Sequence, residues 1–278
     1  MAAIADLSDF VNRATGGNNG SPESIIGFKD ARVDAAAAAA PIAGRMTSLW
    51  MYEGQPSGAA APGAVAAPVN TTTGGLIQTD PGGGRTKRMT GFYVCCNQTG
   101  TAILYDRLLH ISGLNGTTTP GAQTVGGTLT RYTDGIGNQI WVEIYTQIGA
   151  SATTITASYT DQGSASGQTT TATAIGGTGL REAQRIIPLP LATGDYGVQA
   201  VASVTLAATT GTAGDFGVTV AHPLAPGNID VIAAGQWVDL LRGVGPIEIK
   251  TDACLALAFL ANTTTVPFFW YQAVFAEA

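Results

Sequence analysis

The sequence predicts a mainly β protein: an antiparallel β-sandwich of jelly-roll or Greek-key type, preceded by an N-terminal helical and extended arm. Three observations predict it. Glycine and proline are abundant, 37 and 13 of 278 residues, so the chain turns often. From about Arg88 onward, stretches of β-branched and aromatic residues alternate in character and are separated by Gly-rich turns. The connections between those stretches are short and polar, whereas a parallel α/β sheet needs crossovers of a dozen or more residues, usually helical. At this length one large all-β domain, or one domain with an arm, is the natural organisation. A core of that size can fold without disulfide staples.

The reading divides the chain into residues 1–84, the arm, and residues 85–278, the sandwich. Met1 to Thr15 reads as a short amphipathic helix with Ile4, Leu7, Val11 and Ala14 on one stripe. So short a helix is marginal alone and needs a partner surface. Gly16-Gly17-Asn18-Asn19-Gly20-Ser21-Pro22 stops it. Asp30 to Tyr52 is alanine-rich, with Ala35 to Ala40 uninterrupted, but Pro41 and Gly44 break the pattern. One helix ending near Ala40 is expected, then a second turn carrying Met46, Leu49 and Trp50. Gly54 to Gly84 is low-complexity Gly, Ala, Pro and Thr, which buries too little side chain to form its own core. It is expected as an extended arm held by neighbouring subunits.

The candidate strands follow in order: Met89–Asn97, Ala102–His110, Gly121–Thr128, Gln139–Ile148, Thr153–Tyr159, Gln168–Ala174, Arg185–Leu189, Val198–Leu206, Phe216–Ala221, Ile229–Val231, Cys254–Leu260 and Phe268–Phe275. The clearest is Gln139–Ile148, where Ile140, Val142, Ile144 and Ile148 face one way and Trp141, Glu143 and Tyr145 the other. Gly235 to Leu241 reads as a short helix or loop. Gly194-Asp195-Tyr196-Gly197-Val198 and Gly214-Asp215-Phe216-Gly217-Val218 share one pattern, a turn that feeds a strand twice.

Composition narrows the function. The net charge is −6, from 13 basic and 19 acidic side chains, so the clustered cations of a nucleic-acid binder are missing. No apolar run approaches the roughly 18 residues of a membrane helix, and the first residues lack the basic and apolar regions of a secretory signal. Hydrophobic residues make up 45% of the chain against 12% charged, with mean hydropathy +0.20, which excludes disorder of the whole chain. So few solvating side chains imply a surface partly covered by other subunits. Three cysteines, Cys95, Cys96 and Cys254, cannot pair completely within one chain, which points to assembly in a reducing cytoplasm.

Motifs for catalysis are sparse. Only His110 and His222 occur; Asp106 lies four residues before His110, but no Gly-x-Ser-x-Gly elbow supplies a nucleophile. The adjacent Cys95 and Cys96 point to opposite faces of a strand, which does not suit zinc. Asp215-Phe216-Gly217 lacks the rest of the kinase set. Gly82-Gly83-Gly84-Arg85-Thr86-Lys87-Arg88 lacks the Gly-Lys-Ser/Thr of a phosphate loop. Its cations Arg85, Lys87 and Arg88 suit an acidic partner surface or a solvated hinge. Nothing selects a carboxylate pair for sugar hydrolysis, and aromatics such as Trp141, Tyr145, Phe268, Phe269, Trp270 and Tyr271 fit core or interface better than a sugar platform. No catalytic residue, cofactor or metal is assigned.

Tyr105-Asp106-Arg107-Leu108-Leu109-His110-Ile111-Ser112-Gly113-Leu114 with Gln123-Thr124-Val125, the stretch Gly137 to Tyr145, and the two Gly-Asp-aromatic-Gly-Val turns carry a resemblance. Together they resemble motifs recurring in structural proteins of tailed-bacteriophage virions, over about residues 85–278. The resemblance implies a virion component, assembled in the host cytoplasm, whose partners are the major capsid protein or other virion proteins. The leading expectation is a non-enzymatic decoration or cement protein that oligomerises, a trimer being favoured, and grips the shell through its arm. The arm residues expected to make that contact are Ile4, Leu7, Val11, Met46, Leu49, Trp50, Arg85, Lys87 and Arg88. Alternatives are a neck, tail or fibre-base component and a glycan-binding host-attachment jelly roll.

Overall fold

The computed structural model describes residues 23–32, 41–119, 121–240 and 245–277. Among them the chain is all β. Its strands are β1 (Glu23–Asp30), β2 (Met46–Ser48), β3 (Gly54–Gln55), β4 (Lys87–Cys96), β5 (Gly100–Leu114), β6 (Ala122–Thr124), β7 (Gln139–Thr146), β8 (Thr153–Asp161), β9 (Gln168–Thr169), β10 (Thr173–Ile175), β11 (Arg185–Leu189), β12 (Val198–Leu206), β13 (Asp215–Ile229), β14 (Gln236–Asp239), β15 (Ile247–Ile249), β16 (Leu255–Ala261) and β17 (Phe268–Glu277). Every ladder between them is antiparallel.

A closed barrel, β11-β2-β16-β5-β13-β7, forms the centre. One flank carries the sheet β14-β4-β17-β1-β3, with β15 also on β4; the other carries β10-β8-β12-β6, with β9 on β8. Strand alternation explains this layering, because successive side chains of a barrel strand point into the lumen and out to a flank. Leu104, Leu255, Leu257 and Phe259 leave the barrel to meet Phe92, Val94, Phe269, Tyr271 and Phe275 of the first sheet. Ile140, Val142, Ile144, Val218 and Val220 leave it on the other side to meet Ile155, Tyr159, Val201 and Val204. Each such fully buried large side chain contributes about 1.5–3 kcal/mol.

The division at residue 84 is not a boundary of the described fold. β1 pairs along its whole length with β17, β2 completes the barrel between β11 and β16, and Leu49, Trp50, Tyr52 and Leu76 are buried. The Gly/Ala/Pro-rich stretch is indeed extended, but this chain's own body holds it. The Leu76 amide donates to the Leu255 carbonyl at 2.7 Å, and Ala66 and His110 exchange backbone bonds of 3.0 and 2.9 Å. A stretch without a core of its own thus acquires one by lying on the barrel. The expected helical turn at Met46, Leu49 and Trp50 is corrected to strand β2 and the turn after it, because the barrel leaves an open ladder position there. The helix expected to end near Ala40 cannot include Asp30, which closes β1; its remainder, 33–40, and the expected helix over 1–15 lie outside the described residues. Gly235–Leu241, expected as a helix or loop, contains β14, which pairs with β4.

β13 carries the expected strand Phe216–Ala221 on to Ile229, the first residue of the expected strand Ile229–Val231, whose remainder is not strand. Pro223 and Pro226 signal strand ends, yet register shifts at Val220/Ala221 and Pro223/Ala225 absorb the missing donors and carry the strand through. Both Gly-Asp-aromatic-Gly-Val turns feed strands, β12 and β13, with Gly194 and Gly214 at φ 96° and 54°.

Candidate functional site

The lumen holds the densest chemistry of the chain. Tyr105 and Arg107 enter it from β5, and Trp141, Glu143 and Tyr145 from β7; Ala221, Ala256 and Ala258 leave them room. Arg107 donates from Nη2 to Glu143 Oε2 at 2.6 Å and to the Tyr145 hydroxyl at 2.7 Å. Its Nη1 donates to Tyr105 at 3.2 Å and its Nε to His110 Nδ1 at 2.9 Å. Glu143 Oε2 also accepts from Thr219 at 2.7 Å and Tyr145 at 3.0 Å. The Trp50 ring closes this end, its centroid 4.3 Å from the Arg107 guanidinium carbon. Beside it Arg131 grips Asp106 with two bonds of 2.8 and 2.9 Å, and Asp106 also accepts from the Cys254 amide at 3.0 Å.

Arg107 and Glu143 are both almost fully buried, so electrostatics follow from their pairing. Burial pushes the Glu143 carboxyl up, but the Arg107 charge and the hydrogen bonds to the carboxylate outweigh it and hold the pKa below the ordinary value. Burial opposes the Arg107 charge in the same way, and Glu143 overcomes it. Burial and then the Arg107 charge push His110 down to about 3, so the imidazole is neutral and accepts at Nδ1. Burial raises Tyr105 and Tyr145. Such an arrangement braces strands: the pair is buried, and Arg107, Tyr145 and Thr219, from two other strands and its own, all bond to Glu143 Oε2. The second histidine stacks on Tyr132 at 3.7 Å and meets Asn138 Oδ1 at 2.9 Å.

The outside has the opposite character. At the other end of the barrel a hollow of about 270 Å³ opens between Met46, Ile103, Trp141, Pro223, Leu224 and Pro226. Gln139 divides it from a groove of about 360 Å³ along Ile140, Pro188, Pro190, Leu191 and Tyr196. Tyr196 and its neighbour Ile136 form an exposed lip, 63% and 51% accessible.

A second open surface is the outer face of the first sheet. Opposite residues on antiparallel strands share a face, which sets Trp270 beside Phe28 and Cys95, and Gln272 beside Ile26 and Tyr93. Trp237 of β14 lies opposite Tyr93 and covers Gly91, where a Cβ would come within 2.4 Å of the indole. Phe28, Phe268 and Trp270 form a triad with centroids 5.4–6.0 Å apart. Ile26, Trp270 and Trp237 remain 61%, 45% and 47% exposed. Charge enters at the margin, where Arg32 pairs with Asp30 at 2.7 Å and lies 4.5 Å over the Phe268 ring.

No protein family, characterised protein or solved structure matches this chain.

The residues expected to grip a partner are scattered by the fold. Ile4, Leu7 and Val11 lie outside the described residues. Leu49 is core, and Trp50 seals the lumen, so neither is offered to a partner. Met46 lines the barrel hollow. The basic cluster is largely consumed within the chain: Lys87 is buried against Glu23, Gln78 and the Thr79 carbonyl, and Arg85 reaches Glu277 at 3.5 Å. Arg88 is half-buried on β4. Sequence reading missed Ile26 and Phe28, although the alternation of Ser24, Ile26 and Phe28 marks one face of a strand. It also missed the pairing of Arg107 with Glu143, since no local spacing links residues 36 apart.

Proposed function

We propose that this chain is a non-enzymatic structural protein of a bacteriophage virion. It would be of decoration or cement type and bind the major capsid protein or other virion proteins as a homo-oligomer, with a trimer favoured. The stack of sheet, barrel and sheet serves as its sandwich-like inert body. The observation that carries the reading is the open strip formed by the Tyr196–Ile136 lip, the proline-lined groove, in which Asp195 is held by the Tyr159 hydroxyl, and the apolar barrel hollow. A surface of this kind buries apolar area on contact, and its few polar side chains can orient the partner. The resemblance of the strand and turn motifs to virion proteins supports the same reading, and the enclosed Arg107–Glu143 cluster fits a body built to stay rigid.

The test is co-sedimentation with purified particles lacking the chain. The native protein pellets with them, and Tyr196→Asp with Ile136→Asp stays in the supernatant while keeping its unfolding midpoint. Full retention of the double variant would refute the strip as the contact. A second reading rests on Tyr196 beside the Gln139 amide, an aromatic and an amide that together suit a sugar ring. Sub-millimolar binding on a glycan array, abolished by Tyr196→Ala, would favour host attachment over decoration.

A further inference from the structure

We propose that the folded chain links Lys87 to Gln78 through an intramolecular isopeptide bond, with Glu23 as the acid–base group of the reaction. The three side chains meet where the start of β1, the stretch before residue 84 and the start of β4 converge. Lys87 Nζ donates to Gln78 Oε1 at 2.8 Å, to Glu23 Oε2 at 2.5 Å and to the Thr79 carbonyl. A carbonyl bond of about 1.2 Å then sets the Gln78 carboxamide carbon within about 4 Å of the amine, close to the roughly 3–3.5 Å of a near-attack geometry. A salt bridge alone needs only Glu23; the carboxamide on the same nitrogen supplies an electrophile.

The surroundings hold the reactants in place. Lys87 and Gln78 are both buried, 1% and 3% exposed. The Gln78 amide nitrogen donates to the Ala253 carbonyl at 3.3 Å, and its backbone carbonyl accepts from Asn70 at 3.1 Å. Glu23 Oε1 accepts from the Thr79 amide at 2.9 Å and the Thr79 hydroxyl at 3.0 Å, which turns Oε2 to the amine. The Phe275 ring centroid lies 5.4 Å from Nζ. Burial of this kind limits the water that would compete for the carboxamide. The step balances without a co-reactant. Glu23 Oε2 takes one proton from the Lys87 ammonium, and the freed lone pair attacks Gln78 Cδ, forming the Nζ–Cδ bond. Glu23 returns that proton to Nε2, and the Cδ–Nε2 bond breaks as the carbonyl reforms. The departing ammonia carries off the second proton shed by Nζ and leaves as ammonium, with Glu23 again a carboxylate. The new bond ties β4 to the preceding stretch across the exposed loop Gly82-Gly83-Gly84-Arg85, so a cut in that loop does not part the body.

The intact mass of the denatured full chain tests the proposal. The native chain should be lighter than its sequence by about 17 Da, one ammonia, and fragmentation should place the loss on a peptide joining residues 78 and 87. A tryptic cut after Arg85 in the folded protein should leave a single band on a denaturing gel. Lys87→Arg keeps a charge beside Glu23 but should show the full mass, and its two pieces should separate after the same cut. Glu23→Gln should lower the linked fraction at least tenfold. A native chain at full mass would overturn the proposal, as would a loss mapped to another residue, such as a cyclised asparagine. Full linkage in folded Glu23→Gln would overturn the acid–base role. Should Glu23→Gln fail to fold, the native mass and the joined peptide decide alone.

Discussion

The barrel lumen and the outer face of the flanking sheet invert the usual distribution of polarity. Inside, Arg107 and Glu143 are buried and paired, with a second buried pair, Asp106 and Arg131, beside the lumen; outside, Ile26, Trp270 and Trp237 meet solvent. The lumen tolerates charge because each ion finds several partners, so the desolvation cost is offset by short bonds. The outer face holds rings that no described element covers. The comparison teaches that burial alone does not mark function here. The most reactive side chains hold the barrel strands together, and the least reactive ones are exposed to solvent.

Breaking the lumen should have the largest effect. Glu143→Ala leaves Arg107 buried without its counter-ion, and unfolding in urea should show a loss of about 3–5 kcal/mol. Arg107→Met with Glu143→Leu removes both charges and should recover part of that loss. A double variant as unstable as the sum of its singles would mean that the two side chains act independently.

Acid should act on the same cluster. An unfolded imidazole takes up its proton near pH 6.5, whereas folded His110 does so only near 3. The unfolded state therefore binds more protons between these values, and stability falls as pH drops from about 6.5 toward 3. His110→Gln should flatten that limb of a stability–pH curve measured by thermal unfolding; an unchanged limb would assign it to other groups.

On the sheet the effects should be smaller. Gly91→Val places a side chain where the Trp237 ring lies and should cost about 1–3 kcal/mol, with a change in indole fluorescence. Ile26→Lys changes an exposed position and should move stability by no more than about 0.5 kcal/mol, while reducing binding of apolar dyes to the face. A large loss at Ile26 with a small one at Glu143 would reverse the comparison.

How much of this was legible follows from which forces are local. Strands β11 and β12 read directly from the sequence, β12 by its alternation, with the bounds Arg185–Leu189 and Val198–Leu206. β13 did not, because proline at 223 and 226 argues for an end and only the partner strand shows that bulges absorb it. β2 and β3 were invisible: three and two residues carry no period, and tertiary pairing alone makes them strands. The same cause misassigned the segment before residue 84, whose poverty in large side chains looks like a free arm. Yet Trp50, Tyr52 and Leu76 suffice to fasten it, so deleting residues 1–84 would remove three strands rather than a tether. Among the site residues, local composition marked Trp50 as important but gave it to a partner. Its actual neighbour, Arg107, lies 57 positions away in the sequence.

In the proposed function, partner binding falls to the outward apolar surfaces and rigidity alone to the inward ionic cluster. Co-sedimentation with particles lacking the chain tests it most directly, comparing Tyr196→Asp with Ile136→Asp against Arg107→Met with Glu143→Leu, both at a temperature where each is folded. The surface variant is expected to stay in the supernatant and the lumen variant to pellet like the native chain. A lumen variant that is folded but unbound, beside a surface variant that still binds, would contradict it.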